Sequence, residues 1–391
     1  MLKLKKEIAQ ELTEHILPFW MRLVDKENGG IFGVVDNDLN IDKTADKGGI
    51  VTSRFLWTFS AAYRVTNNER YLAVANHLYD FLVNNVYDHE YKGLYWLVDY
   101  QGNPKDTRKH VYTQSFGIYA LSEYYRATNK PEALEMAKDL YHLIEEKGFN
   151  PDNNAYKEEF DREWNEIPNE MLSENGVMAD ITMNTHIHIL EAYTTFYKAL
   201  PNEGLKGRLE NLLQILFEKI YDQESKFLGV FFDKNWNSLL DIKSFGHDIE
   251  ASWLIDETLK AIDSEKPEYV QMVIDIAYNI ADYAMQEDGS LINEQVGDVV
   301  DKTRVWWVQA EACVGFMNAY QRTKDEKFLT LVNQLWEYVK NNLVDKRENG
   351  EWYWSIEADG TPTTKRNIGD PWKASYHNGR FCLEIMERVE E

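Results

Sequence analysis

The sequence predicts an all-α protein in which six helical hairpins close into a ring, with short β-hairpins at one end of it. Three observations underlie this. An apolar helix followed by an amphipathic one recurs along the chain. The copies are spaced by 58, 72, 63, 59 and 71 residues when Arg54, Tyr112, Asn184, His247, Trp306 and His377 are taken as markers. Both terminal helices also carry a full apolar stripe. An open solenoid of the same period needs polar caps at its ends. Ile8, Leu12, Ile16 and Phe19 in the first helix are the opposite of a cap, so the ring is expected to close with the N-terminal helix as outer partner of the last inner one.

The first element, MLKLKKEIAQELTEHILPFW, has a basic start but neither an uninterrupted apolar run nor a small-residue cleavage site. It reads as an amphipathic helix and not as a signal peptide. The first hairpin runs from Ser53 as SRFLWTFSAAYRVTNNERYLAVANHLYDFLVNNV: an apolar helix, a polar turn, an amphipathic helix. The second runs from Val111 as VYTQSFGIYALSEYYRATNKPEALEMAKDLYHLIEE, and the turns AAYRVTNNERYL and EYYRATNKPEAL make the repeat visible. Further copies begin near Asn184 (MNTHIHILEAYTTFYKAL), His247 (HDIEASWLIDETLKAI) and Trp306 (WWVQAEACVGFMNAYQRTKDEKFL), with a half-copy at His377 (HNGRFCLEIMERV). Between the copies lie GLYWLVDYQGNPKD, FLGVFFDKNWNSLLD and GEWYWSIEADGTPTT, aromatic and polar residues alternating around turns such as Tyr100-Gln101-Gly102-Asn103. These read as β-hairpins at the end of the ring where the inner helices start. No composition shift marks a linker, so residues 1–391 read as a single domain.

Composition narrows the partners. Hydrophobic residues make up 44% and aromatic residues 13% of the chain, ample material for a core, while the formal net charge of −24 argues against nucleic acid or an anionic membrane. No apolar run reaches membrane-spanning length. Cys313 and Cys382 fall in apolar helical stretches with neither metal nor disulfide spacing, which points to a reduced cytoplasmic compartment. The expected assembly is a monomer or weak homodimer.

The mouth of such a ring collects the first-turn residues of all six inner helices: Arg54; Tyr112; Asn184 and His188; His247 and Glu250; Trp306 and Trp307; His377 with Arg380. In GHDIEASW, His247 and Glu250 are three residues apart and share a helix face, and His188 and Glu191 repeat the spacing. A carboxylate so placed is expected to hold the imidazole's orientation and tautomer. A histidine at a helix N-terminus is also favoured in its neutral, proton-accepting form. His186 points to another face and reads as structural. Trp306, Trp307 and Trp372 offer flat apolar faces of the kind that hold a sugar ring, one of the first two being packing. HExxH, clustered Cys/His, GxGxxG before a helix and GxxxxGK[ST] are all missing, so neither metal nor nucleotide cofactor is called for. Neutral imidazoles among tryptophan and arginine suit proton abstraction and return on an uncharged polyol.

At these residues the sequence resembles the N-acylglucosamine 2-epimerase family. The resemblance runs nearly end to end: PFW with ENGGIFG, DKGGIVTSR, KHVYTQSFGIYALSEYYRAT, SENGVMAD, MNTHIHILEAY, GHDIEASWL, DKTRVWWVQAEACVGFMNAYQ and YHNGR. It implies an (α/α)6 barrel and interconversion of a β-1,4-linked glucose disaccharide with its 2-epimer, cellobiose to glucosyl-mannose or lactose to epilactose, through an enediolate. His247 and His377 then match the family's acid/base histidines, Glu250 the glutamate supporting the first, and His188 a third histidine near the sugar oxygens. Arg54, Tyr112, Asn184, Trp307 and Trp372 match substrate-contacting positions, with Glu294 in LINE a weaker match and Trp306 beside them. WKASYHNGR departs from the common WKCPYHNGR, which bears on the loop before His377. The rivals are N-acetylglucosamine, mannobiose or mannose as substrate on the same fold, an (α/α)6 inverting hydrolase, which needs two carboxylates about 6.5–9.5 Å apart, and a non-catalytic sugar-binding protein.

Overall fold

Each inner helix is buried around almost its whole circumference because its sequence is apolar or small on every face. The structure, a computed structural model, describes residues 1–172 and 176–389. Ser173-Glu174-Asn175 of the SENGVMAD stretch lie outside the described residues. The N-terminal segment forms α1 (Leu2–Gln10) and, after a wider π-type turn, α2 (Leu17–Met21). Inner and outer helices then alternate: α3 (Gly49–Thr66) and α4 (Glu69–Phe81), α5 (Val111–Thr128) and α6 (Pro131–Leu143), α7 (Met183–Ala199) and α8 (Glu203–Ile215). The series continues with α9 (Phe245–Ala261) and α10 (Pro267–Tyr283), then α11 (Trp306–Thr323) and α12 (Glu326–Tyr338), and ends with α13 (Tyr376–Arg388). In α5 every residue from Val111 to Tyr124 is buried, whereas outer α12 buries one stripe, Phe328, Val332, Leu335 and Trp336. Neighbouring inner helices pack on one another in order round the ring, and α13 packs on both α11 and α3.

The ring closes as expected, through α1 and the turn after it. Both pack on α13, Lys5 Nζ donates to the Val389 carbonyl at 2.7 Å, and Trp352 Nε1 donates to Glu11 at 2.7 Å. A short antiparallel pairing recurs before every inner helix and locks it to the hairpin that follows its outer helix. Lys47–Gly48 pairs with Leu97–Val98, Lys109–His110 with Glu159–Phe160, and Ile181–Thr182 with Phe231–Phe232. Ile242–Ser244 pairs with Glu294–Val296, and Arg304–Val305 with Ser355–Ile356. The sixth copy is the single bridge between Gly369, ahead of α13, and Val35, after α2, so the two ends of the chain make the pairing that elsewhere lies within one copy.

Four hairpins share a loop that the helical periodicity does not reveal. In Asp36–Asn40, Asp99–Asn103, Asp161–Asn165 and Asp233–Asn237, the leading carboxylate accepts the backbone N–H of the second and fourth residues after it. The third residue after it is left-handed: Leu39, Gly102, Trp164 and Trp236, with φ of 67°, 88°, 67° and 66°. Such a φ is costly for a bulky side chain. Trp164 and Trp236 are held there by donation of Nε1 to the carbonyls of Tyr91 (3.0 Å) and Asn153 (2.8 Å) in the preceding copies.

The inner helices start at Gly49, Val111, Met183, Phe245, Trp306 and Tyr376. Four expected first-turn residues therefore sit deeper, in the second turn: Arg54, His188 and Glu250 lie five positions past their helix start and Arg380 four. No helix among the described residues is long and apolar enough to cross a membrane.

Closure has a measurable consequence. Leu12 is fully buried between the N-terminal helix and α13, near Gly379. Leu12→Ala should cost about 3 kcal/mol and shift one cooperative thermal transition, read alike by far-UV circular dichroism and tryptophan fluorescence. A separate early transition confined to the termini would mean an open array.

Candidate active site

The six inner-helix starts surround a cavity of about 330 Å³. Of the residues expected there, Arg54, Tyr112, Asn184, His188, His247, Glu250, Glu294, Trp306, Trp307, Trp372 and His377 line it, whereas Arg380 lies fully buried behind it. Trp307 stands between two histidines, its ring centroid 4.7 Å from that of His247 and 5.5 Å from that of His377. Trp306 is the more buried of the tryptophan pair and packs on Trp354 at 4.4 Å, while Trp372 is 36% exposed at the rim. Arg54 reaches in from α3, donating to the Tyr112 hydroxyl at 2.9 Å and the Trp372 carbonyl at 3.2 Å. The Oδ1 of Asn184 is buried without a partner. His186 faces away, bonded to Thr182 and to the Tyr156 amide, and is structural as expected.

The three cavity imidazoles are each held at Nδ1, but by different groups. His188 donates to Glu191 Oε2 at 2.7 Å, so this i,i+3 pair forms as its spacing suggests. His377 donates to Glu311 Oε1 at 2.7 Å, across from α13 to α11. His247 does not pair with Glu250: its Nδ1 lies 2.7 Å from the hydroxyl of Ser244. The Glu250 carboxylate instead accepts from Arg380. The expected His247–Glu250 contact is thus corrected, and the reason is competition. A carboxylate offered a guanidinium and a neutral imidazole takes the charged donor, whose hydrogen bonds are roughly twice as strong.

Arg380 is the residue whose importance the sequence did not disclose. Fully buried in the first turns of α13, its guanidinium donates to Glu191 on α7, to Glu250 on α9, to Glu311 on α11 and to the Tyr376 hydroxyl. Glu311 accepts in addition from Trp253 Nε1 at 3.0 Å. Glu250, Glu311 and His377 bring one ligand atom each within 4.8 Å of one another, the one grouping among the described residues with that potential for a metal ion. Arg380 donates to both of its carboxylates, so the positive charge there comes from the protein itself. Aligning α9 on α11 would have found Glu311, since it and Glu250 both fall five positions past their helix start.

The charges follow from burial. Burial pushes His247 down to about 3, with His188 and Arg54 adding to the effect. His377 lies well below the ordinary histidine value through burial, then Arg54 and Arg380. Both are therefore neutral at rest. Burial and the neighbouring Glu311 push Glu250 up to about 7, and burial also raises Glu311. Burial alone would raise Glu191 as well, but Arg380, His188 and Tyr376 hold it below the usual carboxylate range.

The loop before His377, where Ala374-Ser375 departs from the common pattern, is fixed on both sides. The fully buried Lys373 ammonium pairs with Glu351 and donates to the Ile368 carbonyl at 2.7 Å, and Asn378 donates to the same Glu351. Ala374 is buried, and the Ser375 hydroxyl is buried without a partner.

A family model described as N-acylglucosamine 2-epimerase (GlcNAc 2-epimerase) matches residues 30–379. The cellobiose 2-epimerase of Dictyoglomus turgidum is 48% identical over 389 residues, covering 99% of each chain. The solved cellobiose 2-epimerase of Bacillus thermoamylovorans superposes with a TM-score of 0.98 at 61% identity, covering 100% of both chains. An α-mannanase of Bacteroides thetaiotaomicron, 13% identical with a TM-score of 0.65 over 98% of this chain and 95% of its own, shares the fold alone.

The raised Glu250 makes a stability prediction with a definite sign. Below its unfolded pKa near 4.5 the carboxyl is protonated in both states. As pH rises towards about 7, only the unfolded chain gains the favourable ionisation, so folding loses stability across that window. Glu250→Gln removes the loss and keeps an acceptor for Arg380. Its melting temperature relative to the unsubstituted protein should rise between pH 5 and pH 7; a constant or falling difference in calorimetry would show Glu250 ionised throughout.

Proposed function

The chain belongs to the N-acylglucosamine 2-epimerase family, and from that premise we propose that it is a cellobiose 2-epimerase. It inverts C2 of the reducing-end glucose of β-1,4-linked disaccharides, taking cellobiose to glucosyl-mannose and lactose to epilactose. The observation that carries this reading is how the mouth divides its groups. Three imidazoles face the cavity, while the carboxylates nearest to them are withdrawn onto Arg380. The relatives and the solved structure that bear the name support the substrate class.

The chemistry runs as follows. With the reducing-end ring open, a neutral imidazole, His247 or His377, takes the C2 proton, and the electron pair moves onto O1 as an enediolate. Rotation about C2–C3 and return of a proton on the other face inverts C2, and the ring closes. Arg54, at the cavity wall, lies where the oxyanion's charge develops and stabilises it. Trp307 and Trp372 offer faces for the sugar rings, and Tyr112, Asn184, His188 and Glu294 offer polar contacts. A hydrolase needs two carboxylates flanking the glycosidic bond; here Glu250 at the cavity wall converges with Glu191 and Glu311 behind it on one guanidinium instead. The reading needs no metal or cofactor, takes the whole chain as one epimerase domain, and places it in the cytoplasm as a monomer or weak homodimer. Cys313 and Cys382, both buried and free of disulfides, suit that compartment.

Two measurements test it. Cellobiose incubated with the protein in chelator and D2O should yield glucosyl-mannose carrying deuterium at C2. Release of monosaccharides would favour the hydrolase, and strict dependence on a divalent ion would discard the imidazole mechanism. Glu311→Gln should lower kcat about 10- to 100-fold, as loss of an orienting partner does elsewhere, and leave KM within about twofold. Unchanged turnover would mean that His377 needs no carboxylate behind it.

A further inference from the structure

We propose that Ser244 is the positioning residue of His247: its hydroxyl, diverted from capping helix α9, holds the imidazole at Nδ1 in either tautomer. The inference rests on the epimerase reading for its consequence in turnover, but not for its geometry.

Ser244 occupies the N-cap of α9, where a serine side chain ordinarily accepts a hydrogen bond from a backbone N–H two or three residues on. Here the hydroxyl makes no such bond. Ser375 at the N-cap of α13 also makes no capping bond, but two other inner helices use the position in the ordinary way. Thr182 accepts from the Thr185 amide at 3.1 Å to cap α7, and His110 Nδ1 accepts from the Tyr112 amide at 3.1 Å to cap α5. The Ser244 hydroxyl instead lies 2.7 Å from His247 Nδ1, and the serine itself is buried and fixed by strand pairing to Glu294. A capable cap that leaves its own helix uncapped to hold an imidazole is a local rule broken at a functional position.

The partner's chemistry sets His247 apart from the other two. A carboxylate only accepts, so Glu191 and Glu311 hold His188 and His377 with the proton on Nδ1 and the lone pair of Nε2 towards the cavity. A hydroxyl both donates and accepts. By turning its proton, Ser244 supports His247 with Nε2 as acceptor, with Nε2 as donor, or with both nitrogens protonated. It also places no negative charge behind the ring. The groups that face His247 from the packed elements are Arg54 of α3, His188 of α7, Trp307 of α11 and His377 of α13, with Glu294 on the paired strand and Glu250, bound to Arg380, one turn along.

The test compares Ser244→Ala and Ser244→Thr with the unsubstituted protein. In the alanine variant kcat on cellobiose should fall about tenfold or more with KM within about twofold, and threonine should restore most of it. The melting temperature should stay within about 2 °C in both, because no capping bond is lost. Independently of activity, the 15N resonances of the His247 ring, assigned by their loss in His247→Gln, should show a changed tautomer balance in Ser244→Ala and near-native values in Ser244→Thr. An alanine variant with unchanged ring resonances overturns the inference, whether or not the protein acts on cellobiose. So does an alanine variant with native kcat, with a raised KM alone, or with a melting temperature several degrees lower. If the unsubstituted protein leaves cellobiose unchanged, the epimerase reading fails, and the ring resonances still decide on Ser244.

Discussion

A single buried guanidinium holds the mouth of the ring together. Arg380 has no exposed surface, and a positive charge so placed costs several kcal/mol unless it is matched. It is matched by glutamates from three consecutive inner helices, so α13 is tied at one point to α7, α9 and α11. Three carboxylates exceed one arginine, so burial first and then the neighbouring Glu311 raise Glu250 towards neutrality, while Glu191, which also accepts from His188 and Tyr376, stays ionised. The arginine arrives on the last helix of the chain. Its partners are far apart in sequence, and the helix that brings the arginine to them is the one on which the N-terminal helix packs to shut the ring.

That arrangement separates two kinds of residue by depth. Glu191 and Glu311 lie behind the imidazoles and share the arginine with Glu250; the imidazoles meet the cavity. Glu191 and Glu311 therefore act through His188 and His377, and the tool offered to a sugar is a neutral nitrogen base. The fold leaves this choice open, since an α-mannanase shares it at 13% identity. Pairing decides the matter: the carboxylates of Glu191, Glu250 and Glu311 are taken up by Arg380, and the imidazoles are not.

Much of this was legible in the sequence, for physical reasons that also mark where legibility stops. The ring could be read because inner helices are apolar on every face and outer ones on a single stripe. The cavity residues could be read because polar side chains at the starts of such helices must face something polar. The depth of Arg54, His188 and Glu250 is not legible because their helices begin five residues earlier, at strands too short to leave a periodic signal. The pairing of His247 with Glu250 was misread because i,i+3 spacing states which residues are neighbours and not which partner wins. Helical side chains lean towards the N-terminus, which takes the His247 ring back to Ser244, while Arg380 claims Glu250 from another helix. Glu311 and His377 are separated by 66 positions, so no local spacing could have joined them. The Asp-to-Asn hairpin loops were missed for the opposite reason: their signal is a short polar motif, recurrent but hidden among stretches read only for their aromatic alternation.

The direction of the inner helices completes the electrostatics. All six present their N-termini to the cavity, and each N-terminus carries a partial positive charge of roughly half an elementary unit. One ring of dipoles therefore acts on both partners of a proton transfer from carbon. It disfavours imidazolium at the mouth, adding to the burial that keeps His247 and His377 neutral and able to accept a proton. On the proposed mechanism it also favours the negative charge that appears on the sugar oxygens once the proton has left, and the Arg54 guanidinium at the cavity wall has the same sign. A molecule with a formal charge of −24 can in this way hold a positive potential over the one cavity where an oxyanion must form. Because the dipoles are fixed by backbone geometry, that potential is in place before the substrate arrives and needs no rearrangement as the charge develops.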